Sequence, residues 1–226
     1  MKQDRIKLCI SALVKVVLGI ALVGALLFVP AGTLAFGGAW RLCGVLFVPM
    51  LVMGVVMLIL SPDLLRRRLA SKEERVTQQG VVRYAALLFI VCFVLAGLDF
   101  RFGWSEMSRW LEWGSMMLFL LGYVLYGEVM RENMWLSRNI TVVEGQQVVT
   151  TGLYAIVRHP MYTATVVMFL AMPMVLGSYW AVLPMMLYIP LIAIRIKDEE
   201  QLLCSDLMGY NDYCAKVRWR LLPYIW

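Results

Sequence analysis

Met161-Tyr-Thr-Ala-Thr-Val-Val-Met-Phe-Leu-Ala-Met-Pro173-Met-Val-Leu-Gly177-Ser178-Tyr-Trp-Ala-Val-Leu-Pro184-Met-Met-Leu-Tyr-Ile-Pro190-Leu-Ile-Ala-Ile194 runs without a single charge. About 20 apolar residues cross a bilayer's hydrocarbon core, so this run is too long for one membrane helix and too short for two separated ones. Pro173, Gly177 and Ser178 near its middle are turn formers, which predicts two helices joined by a tight turn. A membrane hairpin therefore occupies the C-terminal part of the chain.

Outward from the hairpin, four more apolar runs precede it. Leu8–Val29 is interrupted only by Lys15, and Leu42–Leu60 ends at Ser61-Pro62. Tyr84–Leu98 is extended by its flanks, and Leu111–Tyr126 completes the set. Leu8–Val29 is too long for a signal-peptide core and is read as an uncleaved first helix. The predicted fold class is thus an all-α polytopic membrane protein of about six transmembrane helices.

Basic residues support this count. Lys2, Arg5 and Lys7 precede the first span; Arg66, Arg67, Arg68, Lys72, Arg75 and Arg83 separate the second from the third. Arg131, Arg138 and Arg158 follow the fourth, and Arg195, Lys197, Lys216, Arg218 and Arg220 follow the sixth. Alternate connections hold few, namely Arg41, Arg101 and Arg109. Six spans put every basic segment on one side, and the positive-inside bias makes that side cytoplasmic, with both termini there. The membrane would be the inner or plasma membrane in a bacterium and the endoplasmic reticulum in a eukaryote.

Composition agrees: 62% of residues are hydrophobic and 16% charged, against about half and a quarter in soluble domains. The net charge of +6 belongs to these topogenic clusters and does not point to nucleic acid. Five scattered cysteines without a CxxC pair support neither a disulfide framework nor a metal site. No GxGxxG, P-loop, HExxH or GxSxG occurs, so an adenosyl cofactor would not use a Rossmann domain.

The chemistry-bearing residues flank the hairpin. His159 is the only histidine, and Pro160 after it marks a helix start. The residue before a proline is pushed out of helical geometry, so Arg158 and His159 occupy an extended turn where the helix dipole favours an anion. The plain alternative is a basic interfacial anchor. Past the hairpin, Glu199 and Glu200 point about 100° apart on a helix. Glu199, four residues after Arg195, is expected to pair with it, leaving Glu200 freer to meet a ligand. A solvated charge cluster is the alternative. Lys15 is expected to snorkel. Trp104, Trp110, Trp113, Trp219 and Trp226 fit an interface belt. Val142–Val149, with its central Glu-Gly, suggests a short hairpin or an extended loop.

Taken in order, Thr150-Thr-Gly152-Leu-Tyr154-Ala-Ile-Val-Arg158-His159-Pro160-Met-Tyr162, the hairpin, Arg195-Ile-Lys-Asp-Glu199-Glu200-Gln-Leu, Gly209-Tyr210-Asn-Asp-Tyr213 and Arg218-Trp-Arg220-Leu-Leu-Pro223 resemble the isoprenylcysteine carboxyl methyltransferase family. Related phospholipid methyltransferases share the pattern. The resemblance covers roughly Asn133 to Trp226 and divides the chain into N-terminal helices at 1–132 and a cofactor-binding region at 133–226. It implies S-adenosyl-L-methionine as cofactor and a lipophilic acceptor from the bilayer. Arg158, His159, Pro160 and Tyr162 would line the cofactor site, Gly152 and Tyr154 would supply the approach turn, and Glu199 and Glu200 form the acidic pair. Arg158, His159 and Glu200 would be the residues at the chemistry, Arg158 holding a carboxylate acceptor. Phospholipid or amine N-methylation is the nearest alternative. An NADPH-dependent reductase of the sterol-reductase type and a non-catalytic membrane protein are the others.

Overall fold

Long uncharged runs in a medium without water must satisfy their backbone groups internally, and helices do so. The computed structural model describes residues 2–69, 76–136 and 141–226. It contains α1 (Lys2–Ala31), α2 (Gly37–Leu60), α3 (Pro62–Leu69), α4 (Val76–Phe102) and α5 (Arg109–Glu132). A 3₁₀ turn at Gly152–Ala155 leads into α6 (Pro160–Val175), α7 (Val182–Met186), α8 (Tyr188–Asp206) and α9 (Tyr210–Lys216). Lys72, Arg75, Arg138 and the Asn139-Ile140 pair lie outside the described residues.

Four helices are long and apolar enough to cross a membrane: Arg5–Ala31, Gly37–Leu60, Gln78–Phe102 and Arg109–Glu132. They coincide with the first four expected spans. The hairpin forms between α6 and α7–α8, with its turn at Gly177 (φ +80°) and Ser178. Its first arm is apolar but has only 16 residues, about 24 Å at 1.5 Å per residue, against a hydrocarbon core of ~30 Å. The second arm is broken after α7. Pro190 has no N–H to donate to the carbonyl of Met186, so the ladder is interrupted between α7 and α8.

Contacts identify the two ends of the bundle. At the turn end, Arg41 of α2 pairs with Glu112 of α5 at 2.5 Å, and Ser178 donates to Asp99 of α4. At the other end, Lys15 Nζ reaches the carbonyl of Leu69 at the C-terminus of α3, and Gln78 of α4 donates to Asp198 of α8 at 2.5 Å. Lys15 thus finds a helix-terminal carbonyl, the group an open C-terminus leaves unpaired. Arg66, Arg67 and Arg68 in the last turn of α3, Arg131 in the last turn of α5, and Arg158 and Arg220 around Glu200 of α8 belong to this same end.

Between the ends, the core joins Leu27, Phe36, Leu42, Phe93, Phe119, Met172, Met185 and Ile196. Small residues let the helices approach: a Cβ on Gly97 would stand 2.7 Å from the Leu27 carbonyl, so only glycine admits α1 this close to α4. Exposed Trp104, Trp110 and Trp113 ring the turn end. Residues 141–150 form an extended loop with a turn at Gly145 (φ +76°), not a strand pair.

Candidate functional site

The site grows from the N-terminus of α6. His159 takes non-helical angles (φ −126°, ψ 61°) because Pro160 follows it and occupies the first helical position. This leaves the N–H groups of Arg158 and His159 free of the helix. The C-terminal segment takes them: Arg158 donates to the Trp219 carbonyl at 2.8 Å and His159 to that of Arg220 at 2.9 Å. Thr163 Oγ1 adds a bond of 2.7 Å to the Leu221 carbonyl. The last ten residues, distant in sequence, thereby become part of the helix entry.

An anion does sit beside this helix start, and it is the chain's own Glu200. Arg158 Nε lies 2.8 Å from Glu200 Oε1, a close ion pair though not aligned as a hydrogen bond. His159 Nε2 is 3.3 Å from the same oxygen, and Arg220 Nε donates to Oε2 at 2.7 Å. Burial alone would raise the Glu200 pKa. Hydrogen bonds from His159 and Arg220, with the charge of Arg158, overcome it and hold the carboxyl down at about 2.

Glu199 faces differently. Its carboxylate accepts from the Tyr162 hydroxyl at 2.5 Å, and that hydroxyl accepts from Arg195 Nε at 2.8 Å. Arg195 Nη1 continues to Gln78 Oε1 at 3.0 Å. Helix spacing suggested a Glu199–Arg195 pair and a freer Glu200. In the structure Arg195 and Glu199 are linked through Tyr162, and Glu200 is the carboxylate enclosed by cations. The reason is tertiary: residues 218–220 close over α8 on the side where Glu200 points.

A cavity of about 110 Å³ opens beside these groups, lined by Tyr154, Arg158, His159, Tyr162 and Glu199 among others. Gly152, Pro160 and Glu200 stand behind its wall. Gly152 takes a left-handed backbone (φ +53°) that favours glycine, and a Cβ there would displace the carboxylate of Glu132, which accepts from the Leu153 N–H at 3.0 Å. The other walls come from Asn133, which donates to the Tyr154 hydroxyl at 2.8 Å, and Trp135, which sequence reasoning passed over, and from Tyr210 and Tyr213, which it quoted as a motif without giving them a role. Tyr213 donates to the Tyr154 carbonyl at 2.7 Å. Burial pushes the phenol pKa of Tyr154, Tyr210 and Tyr213 up, so all three are neutral donors. Gln78 could have been suspected as a polar residue at the end of an apolar run; Asn133 and Trp135 gave no local signal.

Residues 115–205 match the isoprenylcysteine carboxyl methyltransferase (ICMT) family. The ICMT segment begins in α5, takes in the hairpin and ends one residue before α8 does, so it starts earlier and stops sooner than the motifs suggested. It carries every cavity residue except Leu207, Tyr210 and Tyr213. The chain is also 29% identical over 90 residues to the Delta(14)-sterol reductase TM7SF2 of Mus musculus, covering 38% of this chain. The match spans 22% of that relative's length. The chain is thus similar, over this segment, to a methyltransferase family named for a lipidated substrate, and it shares with such proteins helices apolar and long enough to cross a membrane.

The donor set fits an adenosyl cofactor. The Tyr210 hydroxyl is buried without a hydrogen-bond partner and borders the cavity, ready for one. Glu199 offers a carboxylate to an ammonium or to ribose hydroxyls, and Trp135, Tyr154 and Tyr213 offer aromatic faces to a purine. Small-molecule pockets usually hold ~300 Å³ or more. The cavity is smaller than that, and the loop 141–149, which has no regular structure, forms one of its walls.

Proposed function

We propose that this protein is an S-adenosylmethionine-dependent methyltransferase acting on a lipophilic acceptor, by preference a carboxylate carried on an isoprenoid chain. The observation that carries the reading is the cavity bounded by Glu199, Tyr162 and the Arg158–His159 turn at the polar end of a membrane hairpin, within the segment matching the ICMT family. A water-soluble donor reaches this end from solvent, and a lipid reaches it from between the helices.

When bound, the cofactor supplies a sulfonium methyl for in-line transfer to a carboxylate oxygen, the C–S electron pair staying on sulfur. A carboxylate acceptor is ionised at neutral pH, so no residue has to take a proton from it. The chain's task is then to bind, orient and exclude water. Glu199 would hold the donor's amino or hydroxyl groups, with Tyr162 and Arg195 fixing its rotamer. Glu200 would lock Arg158, His159 and Arg220 into one block that shapes the cavity floor, making it a positioning residue. Pro160 and Gly152 act through the backbone they fix. Both termini would be cytoplasmic, since the basic segments gather at the cavity end; a reporter fused after Trp226 should read as cytoplasmic.

The sterol-reductase similarity favours one rival, an NADPH-dependent reductase. Calorimetric titration of S-adenosylhomocysteine and of NADPH into the protein in lipid nanodiscs separates them. Saturable S-adenosylhomocysteine binding that is weakened in Glu199→Gln supports the methyltransferase. Binding of NADPH alone would replace that reading with the reductase, and binding of neither would leave a non-catalytic membrane protein.

A further inference from the structure

A second group of cations stands at the basic end of the bundle, outside the ICMT match. On α1, Lys7, Ser11 and Lys15 recur every four residues and so share one face of the helix. On α3, Arg67 and Arg68 turn toward aromatic rings, 5.8 Å over Trp135 and 5.4 Å over Tyr126. Arg66 instead lines, with Lys7, Leu8 and Ser11, an open cleft of about 560 Å³ between α1 and α3. Its ion pair with Asp63 is 3.4 Å long, with both side chains largely exposed. A solvated pair of that kind is worth little and does not hold the guanidinium back from a ligand.

One turn deeper into the bilayer, Lys15 Nζ donates to the Leu69 carbonyl and so ties α1 to the end of α3. An ammonium has three donors, and that carbonyl takes one. Leu18 and Leu22 continue the same face of α1 and are 63% and 61% exposed. Positions 7, 11, 15, 18 and 22 fall within an arc of about 80° around a helix. Cations and a hydroxyl at the membrane edge, followed inward by bare apolar surface, complement a lipid phosphate and its chain. None of the residues lining the cleft is acidic. The cleft therefore offers counter-charge to a phosphate and none to the ammonium of a zwitterionic headgroup.

We propose that the α1–α3 cleft binds the headgroup phosphate of an anionic phospholipid. Lys7 and Arg66 are its counter-charges, Ser11 donates to a phosphate oxygen, and an acyl chain lies along Leu18 and Leu22. The bound lipid clamps α1 to α3, whose opposite face carries Leu64 into the cluster with Val129, Met130, Leu136 and Tyr154. The site does not depend on what the cavity beside Tyr154 binds.

The probe is dioleoylphosphatidylglycerol, counted against dioleoylphosphatidylcholine by native mass spectrometry of the full chain released from detergent. Wild type should hold one phosphatidylglycerol with a preference of about tenfold or more, given two cations at a membrane surface. Lys7→Gln and Arg66→Gln should each lower that preference about fivefold, and the double variant should abolish it. Lys7→Arg keeps the charge and should keep the preference; its loss there would tie the effect to packing and overturn the site. Arg131→Gln removes the same charge from a side chain 71% exposed at the same end, and should change nothing. Equal losses in Arg131→Gln and Lys7→Gln would reveal a general attraction of lipid to the basic end and overturn the site. No preference in wild type, or an intact one in the double variant, overturns it as well. Displacement of the lipid by excess inorganic phosphate would make the cleft a soluble-anion site and overturn the lipid assignment.

Discussion

The two ends of the helical bundle each bury a carboxylate and satisfy it by different means. At the turn end, Asp99 is 2% exposed and accepts from the Ser105 N–H at 2.7 Å, from the Ser105 hydroxyl at 2.6 Å and from the Ser178 hydroxyl. Ser105 and Ser178 pass the connection on to the N–H groups of Tyr179 and Ala181, at 3.1 Å each. At the cavity end, Glu200 is 8% exposed and is met by two guanidinium groups and an imidazole. Hydroxyls and amides tie a turn to its neighbours, and the result is a closed joint between α4 and the hairpin. Cations gathered on one carboxylate form a charged block able to border a polar cavity. Buried acid alone does not mark a functional site; the partners decide.

Removing the acid sharpens the difference most at the cavity end. Glu200→Ala leaves Arg158 and Arg220 facing each other without a counter-charge, a loss of about 3–5 kcal/mol. Thermal unfolding should show a large drop and S-adenosylhomocysteine binding should disappear, whereas Asp206→Ala, on an exposed position of the same helix, should change stability by no more than ~0.5 kcal/mol. Equal effects of the two would break the distinction between the enclosed carboxylate and the solvated one. At the other end, Asp99→Asn should cost about 1–3 kcal/mol through a mismatched donor set. Cofactor affinity should be untouched, and a parallel loss of binding would show the two ends to be coupled.

Gly152→Ala should destabilise by about 1–2 kcal/mol from its left-handed backbone alone, and by more from the collision with Glu132. Glu132→Ala in the same chain should recover the steric part in a melting experiment. Glu199→Gln is expected to weaken S-adenosylhomocysteine about tenfold, ~1.4 kcal/mol, with little change in melting temperature. A shift in melting with unchanged affinity would move Glu199 to the scaffold.

The smallest effect concerns pH. Because the Glu200 pKa is depressed in the folded state, its stabilisation is complete above the ordinary carboxylate value near 4.5 and is lost as pH falls toward about 2. Proteolysis of the C-terminal segment should therefore be flat from pH 8 to 5 and accelerate below 4.5 in wild type. In Glu200→Gln the group does not titrate, and that acid step should be absent.

Much of the fold was legible because hydropathy is a local property. The first four spans, the hairpin break at Gly177–Ser178 and the gathering of arginines follow from run length and from where charges can sit, although Pro173, expected in the turn, lies inside α6. Pro190 was equally visible, yet its consequence, the break between α7 and α8, depends on which carbonyl it leaves without a donor. Of the candidate site residues, Tyr154, Arg158, His159, Tyr162 and Glu199 border one cavity.

Which member of the acidic pair faces which partner was not legible. Two adjacent glutamates differ by about 100° around a helix, and sequence spacing gives that angle without an origin. The origin is set when the carbonyls of Trp219 and Arg220 accept the N–H groups that Pro160 has excluded from α6, bringing Arg220 onto Glu200. In the same way α3 is only a basic segment in the sequence, and becomes a neighbour of the cavity through Leu64. Sequence by itself determined what must be helical, what must lie in lipid and which end is basic, because those are sums over neighbouring residues. Tertiary structure alone decided which charges neutralise one another and which face the cavity, because that depends on contacts between segments far apart along the chain.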